Sequence, residues 1–225
     1  AEATIGLMVV LFKRIKHNEA KLRAGGWAAR PDRGDFLFGK TIGLVGLGRI
    51  GTHVARRLAG WDVRLIASDP YVESAKAAAL NVALVDLPTV LAESDVVSLH
   101  ATLTDETRGM IEEKALRAMK TTAFLINTAR GELCDEEAVA RALTEGWIAG
   151  AAIDAFRQEP LPPTNPLRAV DPARLVITPH NVAHSEAGRR ANLALALTQI
   201  LAVGRGARPA HLLNPEALAH SRRPA

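Results

Sequence analysis

The sequence predicts an α/β fold built on a doubly wound parallel sheet with helices on both faces. Short apolar runs of strand length alternate with helical segments along most of the chain, and this alternation is typical of parallel sheets. The runs are apolar throughout, which indicates strands that are buried on both faces. A glycine-rich turn joins the first run to a helix. These observations favour a sheet whose ligand site lies beyond the carboxyl ends of its strands.

The elements follow one another along the chain. A helix is predicted over 2–16, with an apolar stripe of Ile5, Met8, Val9, Phe12 and Ile15. A strand over 42–47 precedes a helix whose apolar positions recur every three or four residues, at Ile50, Val54, Leu58 and Trp61. Further strands are predicted over 63–68, 82–85, 95–99, 122–126, 149–153 and 175–178. Further helices are predicted over 74–80, 87–93, 112–119, 136–144 and 186–203.

Three glycines follow the first strand in the spacing G-x-G-x-x-G, namely Gly46, Gly48 and Gly51. This spacing lets the chain turn tightly, lets a pyrophosphate approach the backbone and lets the helix lie close to the sheet. The free N–H groups at the helix start, at Arg49 and Ile50, point at the phosphates. The motif alone is weak. Here a strand, a helix, a second strand and an acid surround it in the order that a Rossmann-type doubly wound parallel sheet requires for a dinucleotide.

Asp69 ends the second strand, 18 positions after Gly51. Its carboxylate can accept hydrogen bonds from the hydroxyls of the adenosine ribose. A 2′-phosphate there would meet a like charge, a penalty of about 4 kcal/mol at about 4 Å and an effective dielectric constant near 20. Pro70 and Tyr71 follow, instead of an arginine that could hold that phosphate. The sequence therefore predicts NAD as the cofactor in preference to NADP.

The composition limits the classes of function. Of the 225 residues, 48% are apolar and 23% are charged, and the net charge is +4. The basic residues are spread along the chain, apart from a few arginines near the C-terminus, so we predict no nucleic-acid partner. No apolar run approaches about 18 residues, so we predict no membrane partner. No metal site is predicted. Cys134 is the one cysteine, which excludes an internal disulfide and suits a reducing cytoplasm.

Polar residues follow several strand ends, where they share one edge of the sheet: Asp69, His100, Arg130, Asp154 and His180. A guanidinium such as that of Arg130 can bind a carboxylate with two parallel hydrogen bonds, although a surface ion pair would explain it equally well. A lone histidine is more often structural, and Glu159 could be merely exposed. If Glu159 meets His180, however, the carboxylate would orient the imidazole for proton transfer.

Six segments of the chain resemble the D-isomer-specific 2-hydroxyacid dehydrogenases. They are GKTIGLVGLGRIG, SDPY, HATLTDETRGMI, INTARGELCDEEAVARAL, GAAIDAFRQEPLPPTNPL and ITPHNVAHSEA. The similarity extends from about residue 1 to about residue 217. Thr102 stands where the family usually has proline, which would loosen the adenosine loop, and Cys134 replaces an aliphatic residue.

The resemblance implies a role for each matching residue. Arg130 would bind the substrate carboxylate and carbonyl, His180 would exchange a proton with the C2 oxygen, and Glu159 would pair with His180. A hydride would pass between the nicotinamide and C2 of a 2-keto or 2-hydroxy acid. The pyrophosphate of the cofactor would contact the glycine motif with Arg49 and Ile50, and the ribose would contact Asp69. The adenosine would be lined by Ala101, Thr102 and Thr107. The nicotinamide would be flanked by Thr128, Ala129, Arg130 and Asp154.

The resemblance also implies a domain organisation. Residues 1–24 would be an interdomain helix and linker, 25–204 the NAD-binding Rossmann domain, and 205–225 a tail left from the substrate domain. We expect roughly the first third of a full-length member to be absent, so that this chain binds NAD but turns over poorly alone. A homodimer through the cofactor domain is implied, with the N-terminal helix and the Trp27 loop at its interface.

Two alternatives stay open beside the dehydrogenase. Some relatives act as NAD-sensing corepressors and can keep the same catalytic residues. A hydrolase of the adenosylhomocysteine type would share the glycine turn but does not predict NTARG, QEP and TPH together. The identity of the 2-hydroxy acid is not predicted.

Overall fold

Seven parallel strands form one sheet in the computed structural model of the protein, which describes residues 1–27, 29–30, 33–212 and 214–216. The strands are β1 (Thr41–Val45), β2 (Arg64–Ser68), β3 (Val82–Leu84), β4 (Val96–Leu99), β5 (Phe124–Asn127), β6 (Gly150–Ile153) and β7 (Leu175–Ile177). Their order across the sheet is β3-β2-β1-β4-β5-β6-β7. This all-parallel sheet confirms the predicted fold class, and each predicted strand bound lies within two residues of the observed one.

The strand order reverses at β1, which pairs with β2 on one side and with β4 on the other. Val45, the last residue of β1, lies opposite Ser68 of β2 and Leu99 of β4. The three strands therefore end at one level, and the segments that follow them diverge around a crevice. Ligands of open α/β sheets bind at such a reversal.

Eight helices occur among the described residues. They are α1 (Glu2–Phe12), α2 (Ile15–Arg23), α3 (Arg49–Leu58), α4 (Ser74–Ala78), α5 (Leu87–Glu93), α6 (Glu113–Ala118), α7 (Glu136–Glu145) and α8 (Glu186–Gly204). Two short 3-10 helices cover Gly131–Leu133 and Pro166–Ala169.

Apolar side chains are buried on both faces of the sheet. Leu125 belongs to one buried cluster, with side chains of α6 and α7, whereas its neighbour Ile126 belongs to a second cluster with α1 and α3. Successive strand residues point to opposite faces, so both faces of β5 are covered by helices. This arrangement explains why the strands read as continuous apolar runs.

The first predicted helix is wrong in its extent. The chain leaves α1 at Phe12, and Arg14 has φ 52°, a left-handed conformation that ends the helical path before α2 begins. Ile15 is consequently 45% exposed and does not continue the apolar stripe. In α3, Val54 and Leu58 are buried as predicted, but Ile50 is 51% exposed at the start of the helix.

The chain divides into two compact units, residues 1–182 and 183–225. The second unit contains α8, where six aliphatic side chains are 47–65% exposed: Leu193, Leu195, Leu197, Ile200, Leu201 and Val203. None of the helices in the described ranges combines the length and the hydropathy needed to span a lipid bilayer.

Candidate functional site

The glycine turn after β1 is built by close backbone approach. Gly46 has φ +95°, and a Cβ there would lie 2.8 Å from the backbone nitrogen of Ala101. A Cβ at Gly51 would lie 2.3 Å from the carbonyl oxygen of Gly46. At Gly48, by contrast, a Cβ would meet nothing within 4 Å. The turn is therefore tight on its protein side and open on the side where a phosphate would approach.

The start of α3 faces this open side. Gly48 is its N-cap and Thr52 donates the first helical hydrogen bond, to the Gly48 carbonyl. The N–H groups of Arg49 and Ile50 precede that bond and have no carbonyl of the helix to bind. Together with the helix dipole, they give this terminus the features that favour an anion. The exposure of Ile50, unexpected for a core position, fits this location at the mouth of the crevice.

Asp69 follows β2 and is fixed beside the glycine turn. Its Oδ2 accepts a hydrogen bond from the Leu47 backbone N–H at 2.7 Å, and its Oδ1 accepts one from the Tyr71 N–H at 3.0 Å. Each carboxylate oxygen has a second lone pair. Asp69 can therefore accept a further hydrogen bond from a ligand hydroxyl while it holds the turn.

The loop after β4 is ordered by its own hydrogen bonds. Thr107 donates its hydroxyl to the Thr102 carbonyl at 2.7 Å and accepts the Thr104 N–H at 2.8 Å. These bonds order the loop although Thr102 replaces the usual proline. The Tyr71 hydroxyl donates to Glu106 at 3.2 Å and links the loops after β2 and β4.

His100 is the first residue after β4, and its ring is within 2.9 Å of the Ser98 hydroxyl. Burial lowers its pKa to about 4. The ring is therefore neutral at physiological pH. The backbone of His100 lies against the glycine turn, since a Cβ at Gly46 would lie 2.8 Å from the His100 carbonyl carbon.

The turn after β5 presents Arg130 and is organised by a buried amide. Asn127 is 0% exposed. Its Nδ2 donates to the Arg130 carbonyl at 2.9 Å, and its Oδ1 accepts the Ala129 N–H at 3.1 Å. The Thr128 hydroxyl lies 3.1 Å from that of Thr4 on α1. The Arg130 guanidinium is exposed and donates to the Ala129 carbonyl at 2.7 Å.

Glu159 and His180 meet. The two carboxylate oxygens lie 2.9 and 2.8 Å from His180 Nδ1. Glu159 Oε1 also accepts the Phe156 backbone N–H at 2.9 Å. That N–H, the imidazole and the positive charge of Arg130 lower the pKa of Glu159, in this order of size. His180 has φ 50°, a left-handed conformation that is uncommon for a residue with a Cβ and often found at functional sites.

Asp154 connects the end of β6 to the segment that carries His180. It is 2% exposed, and its Oδ1 accepts the Thr178 hydroxyl at 2.7 Å and the Asn181 N–H at 3.1 Å. Asp154 thus holds the residues on both sides of His180. Its predicted contact with a nicotinamide remains a prediction.

Arg130, Glu159 and His180 line one cleft of about 240 Å³, together with Gly131, Glu132, Ala155, Phe156 and Arg157. A larger cleft of about 640 Å³ adjoins it, lined by Glu159 and His180 with mostly apolar side chains: Phe156, Pro160, Leu161, Ile177 and Pro179. The guanidinium, the carboxylate and the imidazole therefore share a concave surface. Within the described ranges, no group of three or more potential metal ligands occurs.

Sequence reasoning did not single out Asn127, Thr178 or Glu136, although each stands next to a recognised motif. Asn127 and Thr178 directly precede the turns of Arg130 and His180. Glu136 is 8% exposed and receives two hydrogen bonds of 2.6 Å. Asn127 and Glu136 are buried and Thr178 is half-buried, and a single sequence does not reveal which of its polar residues are buried.

Comparison with known proteins agrees with this geometry. The sequence profile of the family described as D-isomer specific 2-hydroxyacid dehydrogenase, NAD binding domain, matches residues 5–182. A glyoxylate reductase of Thermofilum pendens is 44% identical, in an alignment that covers 97% of this chain and 65% of that protein. A D-3-phosphoglycerate dehydrogenase of Methanocaldococcus jannaschii is 38% identical, over 95% of this chain and 40% of that protein.

The fold also matches solved structures. The D-lactate dehydrogenase of Lactobacillus jensenii with NAD⁺ superposes with a TM-score of 0.85 and 28% identity, over 94% of this chain and 67% of that one. In sequence, the chain spans only 65% and 66% of the length of two glyoxylate reductases that it matches.

Proposed function

The chain belongs to the D-isomer specific 2-hydroxyacid dehydrogenase family, as its NAD-binding domain, and from this premise we propose that the complete protein interconverts a small 2-hydroxy acid and its 2-keto acid. One observation carries the proposal. Arg130, Glu159 and His180 line a single cleft at the carboxyl edge of the sheet, although they lie on three different segments of the chain. A carboxylate-binding group and an oriented acid/base in one cleft are what this reaction needs from the protein.

NAD fits the residues that surround the glycine turn. The open space over Gly48 and the N–H groups at the start of α3 suit a pyrophosphate, and Asp69 suits the ribose. Bound NAD(H) would supply or accept the hydride at C2. We propose that Asp69 makes NAD the preferred cofactor, since its charge repels a 2′-phosphate. Thr102, Thr107 and Ala101 would flank the adenosine, and Thr128, Ala129 and Asp154 the nicotinamide.

Arg130 is the proposed binding group for the substrate carboxylate. Its guanidinium is exposed to the cleft, and the turn below it is fixed by Asn127. A guanidinium offers two parallel N–H donors to a carboxylate. The same positive charge would polarise a neighbouring carbonyl toward addition at C2.

His180 is the proposed acid/base. Because both oxygens of Glu159 are acceptors near Nδ1, the ring proton of neutral His180 belongs on Nδ1 and Nε2 is left for the substrate oxygen. Reduction of the keto acid would take a proton from Nε2, and oxidation of the hydroxy acid would return one. Glu159 would stabilise the protonated ring, as its lowered pKa keeps it ionised.

The test measures turnover of the complete protein with glyoxylate, hydroxypyruvate, pyruvate and bulkier 2-keto acids. Turnover is monitored by the oxidation of NADH. We expect activity on at least one of them. We further expect His180→Asn to lower kcat by about a hundredfold to ten-thousandfold with little change in NADH affinity. Unaltered kcat in that variant, or no reduction of any 2-keto acid while NADH binds, would contradict the proposed function.

We propose the domain organisation of residues 1–24, 25–204 and 205–225 described above, and a homodimer formed through the NAD-binding domain. Phe36 and Phe38 are 67% and 70% exposed and line a cleft of about 440 Å³ with Trp61 and side chains of α1. Trp27 nearby in sequence is 81% exposed. Several exposed aromatic side chains close together are typical of a protein interface.

We also propose the cytoplasm as the compartment of the protein. Cys134 is buried with its thiol free, which suits a reducing environment. Detection of the protein outside the cytoplasmic fraction of its cells would contradict this.

A further inference from the structure

Glu136 is a buried carboxylate that the proposed reaction does not use. It is the first residue of α7, is 8% exposed, and none of the ion pairs among the described residues includes it. Burying a charge is unfavourable unless its lone pairs are satisfied. The helix N-terminus offsets part of this cost. The rest is offset by two hydrogen bonds from elsewhere in the chain.

These two bonds hold the ends of one loop. Glu136 Oε1 accepts the Arg157 backbone N–H at 2.6 Å, and Oε2 accepts the Asn165 side-chain amide at 2.6 Å. The segment between them has no regular secondary structure and carries Glu159. Asn165 also caps the next 3-10 helix through the Leu167 N–H at 3.0 Å. One carboxylate therefore pins the Glu159 loop on both sides.

The same region fixes the loop against the turn of Arg130. A Cβ at Gly131 would lie 1.9 Å from the carbonyl carbon of Phe156 and 2.3 Å from the nitrogen of Arg157. The two backbones are thus in direct contact. The Phe156 N–H, in turn, donates to Glu159. Glu136 stands at the junction of the segments that present Arg130 and Glu159.

We propose that Glu136 is a positioning residue: by holding Arg157 and Asn165 it keeps Glu159 at the distance from which it orients His180. The catalytic importance of the Glu159–His180 pair rests on the proposed function. The contacts of Glu136 with the loop do not depend on it. Glu136 contacts neither substrate nor cofactor in this proposal. It acts through the loop.

The experiment reads the tautomer of His180 in the 225-residue chain by ¹⁵N NMR of its imidazole ring, at a pH where the ring is neutral. His180→Gln identifies the signal among those of the 7 histidines. In the unsubstituted chain we expect the proton on Nδ1, with no detectable Nε2–H form. In Glu136→Gln, an NH₂ group replaces one of the two carboxylate oxygens, so either the Arg157 N–H or the Asn165 amide loses its acceptor. We expect the Nε2–H form to become the major one.

Glu137→Gln is the matched control, because Glu137 is an exposed carboxylate in the same first turn of α7. It should leave the tautomer unchanged. An Nδ1–H signal that persists in folded Glu136→Gln overturns the proposal, and so does an equal shift in both variants, which would trace the effect to charge on the helix. Backbone amide spectra of the sheet report whether each variant folds.

If Glu136→Gln does not fold, Asn165→Asp decides, since it removes the amide donor to Glu136, keeps an oxygen for the Leu167 N–H and leaves α7 intact. A mixture of both tautomers is expected there, and an unchanged Nδ1–H form overturns the proposal. Because the readout is a tautomer, its failure is distinct from failure of the dehydrogenase assignment, which depends on turnover of 2-keto acids.

Discussion

At the scale of single residues, each proposed functional side chain is held by a backbone group or by a buried polar neighbour. Asp69 accepts from the Leu47 N–H, and Glu159 accepts from the Phe156 N–H. Asn127 holds the turn under Arg130 from a fully buried position. Such fixed donors reduce the reorganisation that a reaction needs. The residue types could be predicted from the sequence, whereas their supports could not.

Asp69 should determine the choice of cofactor. We predict that Asp69→Ser weakens NADH binding by about tenfold and lowers the preference for NADH over NADPH by about a hundredfold, because the variant loses both a ribose acceptor and a repelling charge. Quenching or enhancement of NADH and NADPH fluorescence measures both dissociation constants. Asp105→Ser, which removes an exposed carboxylate of the neighbouring loop, is the control and should keep the preference. Tighter binding of NADPH by the unsubstituted chain would contradict the prediction.

His100 should make the stability of the fold sensitive to mild acid. Its pKa is lowered to about 4 in the folded state by burial, against about 6.5 in an unfolded chain. The unfolded state therefore takes up a proton between these values while the folded state does not, so that stability is lost as the pH falls below 6.5. From pH 7 to pH 5 this loss is about 2 kcal/mol.

We predict that His100→Gln removes this loss. Urea unfolding at the two pH values gives the free energies, and His53→Gln, at an exposed position of α3, should behave as the unsubstituted chain. Equal pH dependence in His100→Gln and the unsubstituted chain would show that folding does not lower the pKa of His100.

At the scale of elements, strand periodicity and the start of α7 were readable from the sequence, and helix interruption was not. The helix predicted over 136–144 begins at Glu136, directly after Asp135, which accepts from the N–H groups of Glu137 and Ala138. The break at Arg14 was missed because its cause is a left-handed backbone conformation at a residue that is an ordinary helix former. In α8, exposed aliphatic side chains are typical of a surface that another element covers.

The cap of α7 should contribute measurably to stability. We predict that Asp135→Ala lowers the free energy of unfolding by about 1 kcal/mol, since two N–H groups lose their acceptor. Glu112 stands at the corresponding position of α6 without a capping hydrogen bond, so Glu112→Ala should change stability by less than about 0.5 kcal/mol. Thermal and urea unfolding of the three chains tests this, and equal losses would refute the capping assignment.

At the scale of the whole molecule, the chain contains the proposed catalytic groups but spans only 65% of a related glyoxylate reductase. We predict that the isolated 225-residue chain binds NADH with a measurable dissociation constant and reduces 2-keto acids at least about a hundredfold more slowly than the complete protein. This follows because catalysis depends on enclosing and orienting the substrate, beyond the presence of an acid and a base. Calorimetry with NADH and turnover assays of both chains measure the two quantities. Comparable turnover would contradict the prediction.

The homodimer is the second prediction at this scale. We expect sedimentation at micromolar concentration to show a dimer, and Phe38→Glu to convert it to a monomer, because a charge in an apolar contact would be desolvated without a partner. Tyr71→Glu alters an aromatic residue that is 83% exposed elsewhere on the surface, and that variant should remain dimeric. A monomer for the unsubstituted chain would count against the interface.

The amino-acid sequence by itself determined the α/β class, the position of the dinucleotide turn and the identities of Arg130, Glu159 and His180, because apolar runs, glycine spacing and motif order are local patterns. Tertiary structure alone decided that these three side chains share a cleft, that Glu159 bonds to Nδ1 of His180, and that Glu136 is buried under the Glu159 loop. The physical reason is that contacts between distant segments depend on how the strands are ordered in the sheet and how the loops pack at its carboxyl edge, and neither is encoded in a residue's immediate neighbours.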